Sequence, residues 1–173
     1  MNIETFVQQS EGKWRSMRSG HSLAFQQFED VLSEVEIKNV DPSSSSIQEL
    51  IESSNLDSKA TTTCPFQMEW KAESDWEPDD PSDVTSGSCL LVPIAINETE
   101  GKIIRSVGYA ESEFAVSDYK FLEDGTFLLK TQYEQSIAEE RIWFVSENVR
   151  CRSSVLRTSA GSGILQTSFA SEV

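Results

Sequence analysis

Glu140-Arg-Ile-Trp-Phe-Val-Ser-Glu-Asn-Val-Arg-Cys-Arg-Ser-Ser-Val155 is the stretch on which the fold turns. On its first limb Glu140, Ile142 and Phe144 alternate with Arg141, Trp143 and Val145. On its second limb Arg150, Arg152 and Ser154 alternate with Cys151, Ser153 and Val155. A period of two is that of a strand with two distinct faces, and Ser146-Glu147-Asn148 between the limbs is a short turn. The stretch reads as an antiparallel hairpin. With a three-residue loop and Asn148 in the left-handed region, Val145 pairs with Val149 and Glu140 with Ser154. Glu140, Ile142, Phe144, Arg150 and Arg152 then share one face, and a carboxylate and two guanidiniums among apolar neighbours suit a site better than a solvated surface.

Outward from this hairpin the same period recurs. Cys64, Phe66, Met68 and Trp70 alternate with Gln67, Glu69 and Lys71, as in a half-buried strand. Ten such segments are expected, at roughly 13–19, 31–40, 62–71, 88–95, 102–110, 113–121, 126–133, 140–145, 149–158 and 164–170. Asp124-Gly125 is a strong hairpin signal and Asn97 to Gly101 a looser one. Two segments follow the helical period instead. Ile3, Phe6 and Val7 lie between a candidate N-cap, Asn2, and a stop, Gly12, which predicts a helix over Met1 to Gln9; Ile47, Leu50 and Ile51 follow Asp41-Pro42 and serines 43–46. The acidic, proline-bearing stretch 75–87 is a loop. The expected architecture is all-β: an antiparallel barrel of about ten strands with a short N-terminal helix and a second short helix, in one domain over 1–173. Closure removes the sheet edges and leaves room for a small ligand. Phe66, Met68, Trp70, Trp76, Tyr109, Phe114, Tyr119, Phe127, Tyr133 and Trp143 are the candidates to line such a cavity, and most of them are expected to be ordinary core.

Composition narrows the function. The 173 residues carry 14 Lys+Arg against 29 Asp+Glu, a formal charge of −15, which repels nucleic-acid backbones and anionic lipid surfaces. No apolar run reaches the roughly 20 residues of a membrane span, and Met1-Asn-Ile-Glu-Thr has no basic or apolar leader character. The expectation is a soluble, unexported protein, and the sequon at Asn97 is discarded with it. Cys64, Cys89 and Cys151 are scattered and odd in number, which supports neither a disulfide framework nor a zinc site and fits a reducing compartment. One histidine, His21, cannot build a multi-histidine metal site, and it disfavours triad hydrolysis. No metal is expected.

Arginine is unevenly placed. Of seven arginines, Arg15, Arg18, Arg141, Arg150, Arg152 and Arg157 fall in two windows, at the first strand and at the penultimate hairpin, which a closed barrel brings together. Guanidiniums suit bidentate capture of carboxylates. A cationic patch inside an acidic chain points to an acidic small ligand.

Gly12-Lys13-Trp14 matches the G-x-W of lipocalin-like barrels, where the tryptophan closes the barrel base and packs against a basic residue late in the chain. The chain as a whole resembles the S-type phycobiliprotein lyases, the CpcS/CpeS family. The resemblance rests on Met1-Asn-Ile-Glu-Thr-Phe6, Gly12-Lys-Trp14, His21-Ser-Leu-Ala-Phe25-Gln26, Trp70 with Trp76, Glu140-Arg-Ile-Trp-Phe-Val145 and Asn148-Val-Arg-Cys-Arg-Ser-Ser-Val155. It runs nearly end to end. It implies a lipocalin-like (calycin-like) barrel that binds an open-chain bilin, phycocyanobilin or phycoerythrobilin, non-covalently as substrate, with no permanent cofactor. The implied activity is attachment of that bilin by a thioether to the central chromophore cysteine of β-phycocyanin, β-phycoerythrin or allophycocyanin. By the same resemblance Arg18 and Arg150 contact bilin carboxylates, supported by Arg152 and Ser154. Trp70 and Trp76 form the pocket wall or mouth, Met68 lies on the same face as Trp70, and His21 touches the ligand. Glu140 lies near the pyrrole nitrogens, with Glu139 as a rival that a register slip of one residue would substitute; Glu140 and Arg150 are the catalytic candidates. The implied setting is a cyanobacterial cytosol, or a plastid stroma in an alga, with homodimers and heterodimers of related lyase subunits both open. The competing expectation is a carrier without catalysis, or a bilin-binding subunit of a heteromeric lyase.

Overall fold

Asn2 starts the chain's first helix as the capping rule requires: its side-chain Oδ1 accepts the Thr5 N–H at 2.9 Å. The computed structural model describes residues 1–56, 61–73, 86–106, 115–160 and 163–173. Helix α1 (Ile3–Ser10) ends one residue later than expected. Gly12 follows at φ +130°, a left-handed conformation that glycine adopts without steric cost and that turns the chain straight into β1.

Ten strands follow: β1 (Gly12–Ser22), β2 (Gln27–Asn39), β3 (Phe66–Glu73), β4 (Ser86–Ala95), β5 (Glu100–Arg105), β6 (Ala115–Phe121), β7 (Phe127–Gln132), β8 (Ser136–Ser146), β9 (Val149–Thr158) and β10 (Ile164–Glu172). Each pairs antiparallel with its sequence neighbour, and β1 also pairs with β10, from Ser16↔Glu172 to Ser22↔Gln166, so the sheet closes. Asp124 accepts the Thr126 N–H at 2.9 Å, and Gly125 takes φ +83° in the turn between β6 and β7. Asn97 Oδ1 accepts the Thr99 and Glu100 N–H groups, both at 2.9 Å. The stretch 77–86 falls outside the described residues except for Ser86, where β4 begins.

The β8–β9 turn differs from expectation. Ser146 pairs with Val149 across Glu147 and Asn148, and a register irregularity between Phe144 and Ser146 sets Val145 aside. Asn148 does not take positive φ; among described non-glycine residues Gln26 and Asn55 do. The irregularity absorbs one residue, so Glu140 still pairs with Ser154.

Helix α1 plugs one end of the barrel. Ile3, Phe6 and Val7 join Trp14, Val35, Ile37, Phe66, Tyr119, Phe121, Phe127, Leu129 and Ile142 in one core. Phe6 stacks on Phe127 at 4.3 Å and meets Phe121 and Phe144 edge-on. The Trp14 indole Nε1–H donates to the Ser10 carbonyl at 2.8 Å, which ties the end of α1 to the first strand. Helix α2 (Ser45–Ser53) lies outside the barrel. Its Ile47 and Ile51 pack on Val92 and Ile104, the outward side chains of β4 and β5. That contact explains why Ile104 is buried on the otherwise charged outward face of β5.

Phe6 supplies the centre of the plug, so Phe6→Ala leaves an aromatic-sized cavity and is expected to cost about 3–5 kcal/mol. Urea unfolding followed by tryptophan fluorescence checks this; a midpoint within experimental error of the wild type would show that α1 is not part of the core.

Candidate functional site

Above the aromatic base the interior turns polar, because the same inward parity that buries Trp14, Phe144 and Ile142 carries Ser16, Arg18, Glu140, Arg152 and Glu172. A cavity of about 560 Å³ opens there, within the size range of small-ligand sites. Arg18 and Ser16 reach it from β1, Met68 and Trp70 from β3, Cys89 from β4, Arg105 from β5, Glu140 from β8, Arg152 and Ser154 from β9, and Ser168 and Glu172 from β10. A groove of about 700 Å³ beside β1 to β4 carries the outward charges Lys13, Arg15, Glu34, Glu36, Glu69 and Lys71 and reaches in to Trp14 and Trp70. Those charges are solvated and face one another across strands, as Arg15 does Glu34, so the interior cavity is the candidate site.

Five buried or half-buried charges organise it. Glu140, 3 % exposed, accepts from Arg105 Nη1 at 3.1 Å through Oε2, and its Oε1 lies 3.8 Å from Arg152 Nη2. Glu172 pairs with Arg150 Nε through Oε2, and its Oε1 lies 3.9 Å from Arg152 Nη1. Arg152 therefore links the two carboxylates. Burial pushes the Glu172 carboxyl up, but Arg152, Arg150 and the Ser16 hydroxyl together outweigh it and hold the group below the ordinary carboxylate range. Burial likewise opposes the Arg105 charge, and Glu140, with Cys89 and Tyr133, reverses the sign and raises it. For Arg150 burial prevails over Glu172 and the guanidinium is lowered from its usual value; an arginine remains charged at neutral pH all the same.

Arg18 sits at the cavity rim with its side chain 35 % exposed, paired to Glu29 at 2.7 Å. Such an exposed pair is worth about 0–1 kcal/mol, so it yields readily to a better acceptor. Ser154 and Ser168 share a hydrogen bond of 2.6 Å across β9 and β10. The Trp70 ring lies against Gly87 on the neighbouring strand, where a Cβ would overlap the indole. Gly87 thus leaves the space in which Trp70 sits.

The structure gathers Arg18, Met68, Trp70, Glu140, Arg152 and Ser154 around this cavity, and it resolves the rivalry of adjacent glutamates. Glu139 faces outward and pairs with Arg141 at 3.0 Å. Two expectations are corrected. Arg150 does not line the cavity: it is 2 % exposed, its Cζ lies 4.5 Å from the Trp14 ring centroid, and Glu172 occupies its Nε. It is the late basic residue that closes the barrel base. His21 is exposed on the outer face of β1 beside Phe28, with ring centroids 6.5 Å apart; inward positions of β1 are even-numbered and His21 is odd. Trp143 also faces outward, against Phe169. Phe66, Tyr119 and Phe127 belong to the apolar base and Tyr133 is buried. Trp76, Tyr109 and Phe114 lie outside the described residues.

Sequence reading missed Arg105, Glu172 and Cys89. For Arg105 a signal was present: Gly101, Ile103 and Arg105 alternate toward the interior, which puts the one arginine outside the two windows into the barrel. Among the described residues no group of three or more His, Cys, Asp or Glu side chains is placed to hold a metal ion, no helix is long and apolar enough to cross a membrane, and the cysteines form no disulfide.

Glu172→Gln breaks a buried pair, a change that costs about 3–5 kcal/mol. A carboxyl held below its unfolded value stabilises the fold above that value, and the contribution fades as pH falls through the folded one. The deficit of Glu172→Gln against wild type is therefore full above about pH 4.5, the group's ordinary value, and shrinks below it. Urea midpoints from pH 7 downward check this; a gap independent of pH would contradict the assigned pairing.

Comparison with known proteins bears on what this barrel is. The model of a family described as CpeS-like protein matches residues 2–173. The chain is 46 % identical over 175 residues to a chromophore lyase CpcS/CpeS of Trichodesmium erythraeum, covering 100 % of this chain and 99 % of that one. It is 28 % identical over 160 residues to a phycocyanobilin lyase subunit CpcS of Picosynechococcus, covering 92 % and 80 %. The solved structure of the S-type phycobiliprotein lyase of Guillardia theta is similar at a TM-score of 0.83 and 36 % identity, covering 100 % of this chain and 92 % of that one. With a family match along almost the whole sequence and a barrel shared with a solved member, the chain belongs to the CpeS-like protein family.

Proposed function

We propose that this protein is a chromophore lyase: it binds an open-chain bilin non-covalently in the barrel cavity and promotes its attachment to a cysteine of an apo-phycobiliprotein subunit. The observation that carries this reading is the lining of one cavity by Arg18 and Arg152, with side chains 35 % and 26 % exposed, together with Trp70 and Met68. A bilin is a long conjugated molecule with two propionates. It asks for an aromatic, polarisable wall and for guanidinium donors to its carboxylates. Family membership supplies the reaction class.

In the reaction the sulfur of the partner's cysteine forms a C–S bond to the exocyclic ethylidene carbon of ring A. The thiol proton is balanced by a proton delivered to the adjacent ring carbon, and no group leaves. Arg18 releases Glu29 to take one propionate and Arg152 takes the other, with Ser154 beside it. Trp70 and Met68 hold the plane of the pigment. Glu140 accepts from the pyrrole N–H groups and fixes the bilin conformer presented to the thiolate, a contribution through orientation. The cysteine comes from the partner, so Cys89 in the cavity wall is not required as nucleophile. Residues 1–173 act as one bilin-binding domain, and the protein works in a cyanobacterial cytosol or a plastid stroma. The bilins in view are phycocyanobilin and phycoerythrobilin; the acceptors are β-phycocyanin, β-phycoerythrin or allophycocyanin subunits.

The test mixes purified protein, phycocyanobilin or phycoerythrobilin, and an apo-β-subunit. A fluorescent adduct on the subunit that survives acid-urea, with no pigment left on this protein, is the expected result. Bilin bound but never transferred would make the protein a carrier or a partner subunit, and no bound bilin would refute the reading of the cavity. Arg18→Ala is expected to weaken bilin binding by at least about tenfold, as for loss of one charged hydrogen bond, with an unchanged melting transition.

A further inference from the structure

We infer that Arg105 is the positioning residue for Glu140: it reaches across the barrel interior from β5 to β8 and holds the Glu140 carboxylate in the orientation that meets the ligand. The inference rests on the reading of the cavity as a bilin site, and it concerns a residue to which that reading gives no part.

Three strand steps separate β5 from β8 around the barrel. In the layer between Arg105 and the Leu129–Glu140 pair the inward residues are small: Ser117 on β6 and Thr131 on β7, hydrogen-bonded to each other at 2.6 Å, and Ala138 beside Thr131 on β8. All three are 2 % exposed or less. The Arg105 side chain extends past these small residues, and its Nη1 ends 3.1 Å from Glu140 Oε2. Arg152 lies 3.8 Å from the other oxygen, an ion-pair distance too long for a hydrogen bond. Arg105 is thus the group that fixes the direction of the Glu140 carboxylate. A charge-assisted bond in a buried setting resists reorientation, and both side chains are under 8 % exposed. Arg105 itself is no capturing arm at the rim, unlike Arg18. Its guanidinium is held by the protein's own Glu140 and Cys89.

The experiment compares wild type, Arg105→Gln, Arg105→Lys, Glu140→Gln and the double variant Arg105→Gln/Glu140→Gln. In the absence of bilin, the losses in melting temperature should be non-additive: removing Arg105 alone strands a buried carboxylate, and neutralising Glu140 as well relieves part of that loss. Additive losses would overturn the clamp whatever the protein binds. With bilin and apo-β-subunit, Arg105→Gln should bind bilin within about threefold of wild type yet slow adduct formation by at least about tenfold, as Glu140→Gln does, with the double variant no slower than the slower single one. Arg105→Lys, which keeps a charged donor, should recover part of the rate. Wild-type transfer by Arg105→Gln beside a slow Glu140→Gln, or a double variant slowed by the product of both effects, would overturn the inference. If wild type binds no bilin the reading of the cavity fails, and the melting-temperature cycle still decides the clamp.

Discussion

Arg152 stands between two buried carboxylates, Glu140 and Glu172, each of which also holds a second guanidinium. The rest of the structure depends on this chain of charges. Its lower half, Glu172 with Arg150 over the Trp14 ring, closes the barrel base above α1. Its upper half, Glu140 with Arg105, forms the cavity wall. Desolvating charges is costly unless every one is paired with good geometry, and here strands β1, β5, β8, β9 and β10 all contribute a partner. The barrel therefore fixes the site, and the site constrains the register of the barrel.

This division of labour assigns different work to residues that look equivalent. Arg150 and Arg152 are two apart on one face of β9, so they sit roughly 6.8 Å apart along the strand. That displacement is enough to put one against the tryptophan at the base and the other into the cavity. Arg18, at the rim, holds only an exposed glutamate. Acceptors entering the barrel thus meet a graded series of guanidiniums: one readily released, one shared between two carboxylates, and one locked in the base.

Much of the architecture was legible because it rests on local rules. The Asn2 cap, the Gly12-x-Trp14 entry, the Asp124-Gly125 turn and the period of two each have a short-range physical cause, and each appears in the structure. The register Glu140↔Ser154 was also legible, although through a turn that proves different in detail: Ser146, expected inside the loop, pairs with Val149, and Val145, expected to make that pair, is set aside. Depth along the barrel axis was not legible. Period alone gives the face of a strand and not the layer, which is why Arg150 reads as a ligand contact until it is seen packed on the Trp14 ring. His21 is a different case, since its parity relative to Arg18 on the same strand already turns it outward, and the motif around it obscured that. Arg105 carried a signal in the alternation of Gly101, Ile103 and Arg105 that its place outside the two arginine windows obscured, and Glu172 was hidden because β10 extends two residues past its expected end.

The central claim is that guanidiniums in the cavity capture ligand carboxylates. The most direct measurement is a comparison of affinities for free phycocyanobilin and its dimethyl ester, which keeps the conjugated system and removes both charges. Followed by absorbance at fixed ionic strength, the ester should bind at least about tenfold more weakly than the acid, the loss of charged hydrogen bonds being the difference. Equal affinities would mean that the aromatic wall alone holds the pigment and that Arg18 and Arg152 serve only the protein's own carboxylates.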